Sequence, residues 1–346
     1  MAGTDIRVRT LDADGAARWD AFVEAHPETT FFHRAGWRRV VEHGFGHAAH
    51  FLYAESGGVV AGVLPLIHRK SRLFGDALIS TLGCVYGGPV ADDARIRRAL
   101  DDRALALAGT LGVGHLEYRC RAPLHPDWPR NDSLYATFRK RLDPDPEKNL
   151  LAVPRKQRAM VRKGIKAGLE STVGGDVDGF YRLYAESVRN LGTPVFPRRY
   201  FRALAEVFGD DCEILTVSGQ GRAYAAVMSF FFRDEVLPYY AGSTEGARAR
   251  AANDFMYWEL MRRSCERGCR LFDFGRSKAG TGAFAFKKHW GFTPEALHYE
   301  YRLFRGNEIP TINPLNPRYR AFIALWKRLP LPVANLIGPI LARDLG

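Results

Sequence analysis

The residues whose types and spacing could do chemistry are concentrated between Phe272 and Phe292, in FDFGRSKAGTGAFAFKKHWGF. Gly275, Gly280 and Gly282 interleave there with Arg276, Ser277, Lys278 and Thr281. Glycine suits backbone that takes positive φ or comes close to a ligand. Cations and hydroxyls on such a loop suit an anionic or carbonyl-bearing partner. Phe284, Phe286, Lys287, Lys288, His289 and Trp290 follow, and Gly291 ends the run. A buried strand, a turn and a solvated Lys-Lys-His patch would be the plainer reading. So many aromatics beside so many donors favours a functional site instead. Lys287 and Lys288 are adjacent and cannot both point inward, so one can polarise a carbonyl while the other faces water.

The sequence carries no Ser-His-Asp arrangement, Walker loop, HExxH or metal-ligand cluster. A loop of backbone N–H groups, cations and aromatic walls can instead hold an activated acyl group beside an incoming amine. A positive group would then sit at the developing oxyanion. That chemistry is acyl transfer rather than hydrolysis or redox.

The elements that must position this stretch occur twice. Leu271, Phe272 and Phe274 predict a strand ending at Gly275. Upstream, Phe196, Arg198, Phe201, Arg202 and Glu206 match Phe32, Arg34, Trp37, Arg38 and Glu42 without a gap, both at helical spacing. Each stretch is followed by glycine and a hairpin pattern, FLYAESGGVVAGVLPLIHR in one half and ILTVSGQGRAYAAVMSFFFR in the other. An aromatic strand end with glycine comes next, Tyr86-Gly87-Gly88 against Tyr240-Ala241-Gly242. A helix then spans about 93–111 or 249–267, and a strand starts after Gly112 or Gly268. The strand after each helix should pair parallel to its predecessor, so two similar α/β domains of mixed sheet and flanking helices are expected. The first-half counterpart of the site, Leu116-Glu117-Tyr118-Arg119, lacks the glycine loop and the lysine pair, so only the second copy is equipped for chemistry.

At 346 residues the chain is long for one core, which agrees with two domains. A formal charge of +12 points to anionic partners: phosphates, nucleic acid or a lipid surface. The five cysteines lack a disulfide rhythm and read as reduced, mostly buried thiols. The N-terminus has no apolar core for a signal peptide, and no run is long enough to cross a bilayer. A cytoplasmic protein is expected, with peripheral contact at the inner face of the membrane left open. The expected domains are 1–150, a basic linker helix over 151–170, a second domain over 171–310 and an amphipathic helical tail over 311–346. The linker holds Arg155, Lys156, Arg158, Arg162, Lys163 and Lys166 with no acidic residue between Leu151 and Leu169. It reads equally as a solvated helix or as a phosphate-contacting face. In the tail, Tyr319, Phe322, Ile323 and Trp326, then Val333, Leu336, Ile337, Ile340 and Leu341, form apolar stripes beside Arg318, Arg320, Lys327 and Arg328. Such stripes either pack on the protein's own core or lie on an anionic bilayer.

The Gly275-Arg276-Ser277-Lys278 block, Gly280-Thr281-Gly282 and Phe286-Lys287-Lys288-His289-Trp290-Gly291-Phe292 resemble the FemAB-related proteins. The resemblance is to the subgroup associated with PEP-CTERM/exosortase and exopolysaccharide loci. Pro154-Arg155-Lys156 with Arg158, Leu191-Gly192-Thr193-Pro194, Tyr239 to Ser243, Asn253 to Trp258 and the tail extend it over nearly the whole chain. It implies two tandem GNAT-like domains and transfer of an acyl or aminoacyl group to an amine in cell-envelope or exopolysaccharide biosynthesis. FemAB enzymes extend peptidoglycan cross-bridges from aminoacyl-tRNA. No tightly bound cofactor is implied; the acyl donor, acyl-CoA or aminoacyl-tRNA, would be a co-substrate. By motif the carbonyl-polarising lysine falls on Lys287, with Arg276 and Lys278 as ligands for phosphate or carboxylate. Asp273, Gly275, Ser277, Gly280, Thr281, Gly282, Phe286, Lys288 and Trp290 complete the substrate side, and Tyr240 and Asn253 lie toward the donor. The basic helix Arg155–Lys166 would contact tRNA. The alternative reading is a non-catalytic module that holds an anionic glycan precursor or nucleic acid.

Overall fold

The computed structural model of the chain describes residues 5–12, 14–71, 74–310 and 317–344. The first six residues expected for the tail, 311–316, lie outside them. Two compact units emerge: residues 1–134 with 296–311 and 343–346, and residues 135–295 with 312–342. They are not the contiguous stretches 1–150 and 171–310 anticipated from the sequence, because the first sheet takes in His298–Leu303 from late in the chain and the second takes in Tyr135–Arg141 from the stretch expected for the first domain.

The first unit is built on an eight-stranded sheet. Its strands are β1 (Ile6–Thr10), β2 (Ala48–Ser56), β3 (Val59–Ser71), β4 (Gly75–Ser80), β5 (Val90–Ala91), β6 (His115–Cys120), β7 (Arg130–Asn131) and β16 (His298–Leu303). The order is β1-β2-β3-β4-β6-β16-β7, with β5 beside β3. The sheet is antiparallel except where β4 and β6 run parallel. Helices α1 (Ala16–Ala25), α2 (Gly36–Phe45) and α3 (Ala94–Leu111) belong to this unit. The side chain of Asp93 caps α3 by accepting from Arg95 and Ile96 N–H, and Gly112 ends it in the left-handed region.

The second sheet repeats the plan. Its strands are β8 (Tyr135–Arg141), β9 (Glu170–Gly174), β10 (Cys212–Gly219), β11 (Arg222–Phe232), β12 (Glu235–Ser243), β13 (Leu271–Asp273), β14 (Ser277–Lys278) and β15 (Pro294–Ala296). The order is β14-β8-β13-β12-β11-β10-β9, with β15 beside β8. The one parallel contact in this order, β12 with β13, matches β4 with β6, and β8 lies on β13 as β16 lies on β6. The repeated helix-hairpin-strand-helix-strand order read from the sequence is therefore present in both units. One matched pair is not equivalent: Tyr240 to Gly242 lie within β12, whereas Tyr86 to Gly88 fall beyond the end of β4.

The helices of the second unit are α4 (Pro146–Ala152), α5 (Arg155–Lys166), α6 (Val177–Leu191), α7 (Arg198–Phe208), α8 (Ala252–Glu266), α9 (Gly282–His289), α10 (Pro317–Trp326) and α11 (Leu331–Ala342). Helix α5 is more than a linker. Val161 is fully buried, and a Cβ on Gly164 would stand 2.7 Å from Phe255 Cβ, so the helix lies directly on α8. A core of Phe138, Leu215, Val227, Val236, Phe255, Met256, Leu260, Phe272, Phe274, Trp290 and Phe292 runs through this unit. Among the described residues no helix is long and apolar enough to cross a membrane. All five cysteines are free thiols and four are buried.

Candidate functional site

Strands β12 and β13 pair only at Glu235 with Leu271 and Val236 with Phe272. Beyond that point β12 runs on to Ser243 against β11, while β13 turns onto β8 through Leu271–Arg141, Phe272–Lys140 and Asp273–Arg139. The sheet thus opens into a wedge, and among the described residues no strand pairs with the inner edge of β12 from Leu237 onward. Tyr239 is an extra residue in the β11–β12 register, a bulge that bends β12 at the mouth of the wedge. A strand edge of this kind can pair with an amide-bearing chain.

The glycine loop starts where β13 ends. Asp273 is buried and fixes the start of the loop: its Oδ1 accepts from Gly275 N–H at 2.8 Å and from Thr137 Oγ1 at 3.2 Å. Its Oδ2 lies 3.3 Å from Arg139 Nε. Asp273 therefore holds the backbone of the site. Ser277 and Lys278 pair with Ala136 and Tyr135 as β14. The cations of Arg276 and Lys278 lie 4.7 and 5.9 Å from the centre of the Tyr135 ring. Burial, followed by the neighbouring charge of Arg276, lowers the Lys278 pKa. The Ser277 hydroxyl is buried and has no hydrogen-bond partner among the described residues.

Gly280 takes φ +77°, and Thr281 then caps α9, accepting from Phe284 N–H at 3.3 Å and donating to Lys278 O at 2.7 Å. Gly282 opens the helix. The helix turns Lys287 inward and leaves Lys288 exposed. Lys287 Nζ donates to Phe274 O (2.7 Å), Gly275 O (2.9 Å) and Arg276 O (3.1 Å), so one ammonium gathers three successive carbonyls at the end of β13. Burial pulls its pKa down to about 7; Asp273 raises it and Arg276 lowers it further. The faces of Phe138 and Phe274 lie 5.4 and 5.8 Å away. A cation held this way at the end of an open strand wedge can meet charge that develops on a bound carbonyl.

Phe286 packs on Tyr257 and Trp290. Trp290 is fully buried and donates to Asp254 Oδ1 at 3.1 Å, and Gln157 donates to the same oxygen at 3.2 Å, which fastens α5, α8 and α9 together. Asn253, one residue before Asp254, donates to Ser243 Oγ at 3.3 Å, tying the start of α8 to the end of β12. Tyr240 stands elsewhere, in a cluster of rings with Tyr184, Phe196, Phe201 and Tyr200, and its hydroxyl is 2.8 Å from that of Tyr200. Asp273 to Trp290, with Asn253 behind, thus form one neighbourhood, whereas Tyr240 belongs to the packing of α6 and α7 on β12.

Sequence reasoning missed Tyr135, Thr137 and Arg139 of β8 and Asp254 of α8. The alternation in Tyr135–Arg141 marks a strand, yet nothing local says that it crosses into the second sheet. In the first unit, β4 and β6 also part after Ile79 and Glu117. There Gly87 and Gly88 N–H donate to Arg119 O, and Arg119 Nη1 donates to Cys84 O, so the chain's own residues 84–88 occupy the end of β6.

Residues 155–288 match the family described as acetyltransferase (GNAT) domain. The structure is similar to that of FemX, with TM-score 0.66 and 15% identity over 84% of this chain and 96% of that one. It is also similar to a tandem GNAT protein from the clavulanic acid biosynthesis pathway, with TM-score 0.55 and 15% identity over 88% and 100% of the two chains. The chain has a tandem GNAT-like fold. No curated protein matches it in sequence. The domain match covers the wedge, the glycine loop and Lys287, and supports N-acyl transfer in general as the chemistry of the second unit.

Proposed function

We propose that the chain is a FemAB-related N-acyltransferase that moves an activated acyl or aminoacyl group to an amine in cell-envelope or exopolysaccharide biosynthesis, as in the PEP-CTERM-associated subgroup. The observation that carries this reading is the partly desolvated Lys287 ammonium at the point where β12 and β13 separate. The donor, an acyl-CoA thioester or an aminoacyl-tRNA ester, lies along the open edge of β12 toward Asn253 and the start of α8. The amine attacks the donor carbonyl, a C–N bond forms, and the C–S or C–O bond breaks. The departing electron pair and the surplus amine proton end on the thiol or hydroxyl of the spent donor. Lys287 exchanges its longest bond, to Arg276 O, for the carbonyl oxygen as negative charge builds there. Arg276 and Lys278, set by Tyr135, take a phosphate or carboxylate of the substrates.

One observation favours a second reading. Arg155, Arg158, Arg162, Lys163 and Lys166 line a solvent-open depression of about 410 Å³ on α5. Such a surface suits a polyanion, either the tRNA of a donor or a nucleic acid or anionic glycan precursor held without chemistry. Purified protein titrated with acetyl-CoA and with aminoacyl-tRNA, then given an amine, separates the cases by mass detection of the amide. A transferase binds one donor saturably and forms product that requires Lys287. If salt-sensitive nucleic-acid binding survives Lys287→Met, is lost in Arg162→Glu/Lys166→Glu, and no donor turns over, the binding reading replaces the catalytic one.

A further inference from the structure

Helix α11 packs the wrong way round for an ordinary surface helix. Its small residues, Ala334, Gly338 and Ala342, are buried, and Gly338 lies against the backbone of Val195. Its large residues, Val333, Leu336 and Ile340, fall at i, i+3 and i+7 on the outer face, where Leu336 is 74% and Ile340 69% exposed. Helix α10 continues the pattern. Trp326 is buried and Ile323 meets Gly192, while Phe322 and Leu325, the latter 65% exposed, face outward. Scattered exposed leucines mean little, but five large apolar side chains turned outward on two consecutive helices form an interaction surface.

Charge selects the occupant. From Ile309 to Ala342 the sequence contains no Asp or Glu but has Arg318, Arg320, Lys327 and Arg328. Lys327 and Arg328 are exposed in the turn between the helices. A second copy of this face would bring like charges together, whereas an anionic lipid surface satisfies both the apolar stripe and the cations. The 12-residue α11 is too short to cross a bilayer. We infer that α10 and α11 lie in the plane of an anionic membrane surface, with Leu325, Val333, Leu336 and Ile340 in the headgroup–acyl boundary and Lys327 and Arg328 at the phosphates.

The test is flotation of the full chain with vesicles of phosphatidylcholine alone and of phosphatidylcholine with phosphatidylglycerol, beside sedimentation velocity of the free protein. The protein should float with the anionic vesicles and much less with neutral ones. Leu336→Ser and Ile340→Ser should each weaken binding about tenfold, the order expected from withdrawing one large side chain from lipid. Lys327→Ala/Arg328→Ala should remove the preference for anionic vesicles while leaving the melting temperature unchanged. Failure to float with either vesicle overturns the inference. So does a wild-type dimer that Leu336→Ser/Ile340→Ser converts to monomer, because the face would then belong to a second copy.

Discussion

Replacing Lys287 with Met should abolish transfer while leaving the fold about as stable as before. The two halves of this prediction come from the same contacts. A lysine brought from 10.5 to about 7 holds its proton against a gap of 3.5 pH units. At about 1.4 kcal/mol per unit, charged Lys287 costs the folded state roughly 5 kcal/mol below pH 7. Removing the ammonium returns that cost but orphans Phe274 O, Gly275 O and Arg276 O, at about 1 kcal/mol or more each. The balance lies within a few kcal/mol of zero, and methionine keeps the packing between Phe138 and Phe274. A side chain that costs stability and is nevertheless held in place is what the proposed role of Lys287 requires. Because the folded value is depressed, wild-type stability should rise with pH between about 7 and 10.5, and that contribution should vanish in Lys287→Met. The assay pairs urea denaturation at several pH values with the rate of amide formation, which should fall at least about a hundredfold, the scale of losing one electrostatic contact to an oxyanion. A loss of much more than 3 kcal/mol with unchanged transfer would show that Lys287 is a strut for the loop and would refute the reasoning.

Three further outcomes follow from packing and titration. A Cβ on Gly242 would stand 2.3 Å from Tyr184 Cα and 2.6 Å from Leu183 C, so Gly242→Ala must push α6 off β12. It should cost about 3 kcal/mol and lower the melting temperature by roughly 6–12 °C, whereas Gly174→Ala, with nothing within 4 Å, should not. Ala251, the residue before α8, sits at φ +55°, and Ala251→Gly should stabilise by about 0.5–1 kcal/mol in chemical denaturation. His125 lies between Glu300 (2.8 Å) and Asp101 (3.1 Å); burial opposes its charge, but the two carboxylates prevail and raise its pKa to about 9. Its stabilisation is complete below pH 6.5 and fades as pH rises through about 9, a loss of roughly 3 kcal/mol. The protection factors of residues 121–129, which divide out the intrinsic rise of exchange with pH, should therefore fall over that window in the wild type and stay level in His125→Gln.

The repeat was legible because aromatics at helical spacing and turn glycines are local signals, and Trp37 and Phe201 are both fully buried at matching places on α2 and α7. The glycine loop was legible for the same reason: Gly280, Thr281 and Gly282 make a turn and a helix start whatever surrounds them. Adjacency alone showed that only one of Lys287 and Lys288 could turn inward, and the fit of α9 against Phe274 decided between them. Strand partners are a different matter. Tyr135–Arg141 reads as a strand in any context, and its pairing with β13 depends on residues more than a hundred positions away. The bonds of Asp273 to Thr137 and of Trp290 to Asp254 were hidden for that reason. Gly164 was the overlooked clue that α5 is docked, since a glycine inside a basic helix marks a close approach to a neighbour.

The placement of β16 beside β6 also sets a timetable for synthesis. The nascent chain releases residues 115–120 long before residues 298–303 exist, so β6 must wait for its partner while 178 residues, from 121 to 298, are added. At ordinary translation speeds that interval is roughly 10–40 s, far longer than a small domain needs to collapse. Until then the exposed edge of β6 is open to mispairing. The second unit waits as well, because β8 is made 129 residues, from 142 to 270, before its partner β13. The last strand of the second sheet, β15, ends at Ala296 and β16 begins at His298, so both sheets close at nearly the same moment of synthesis.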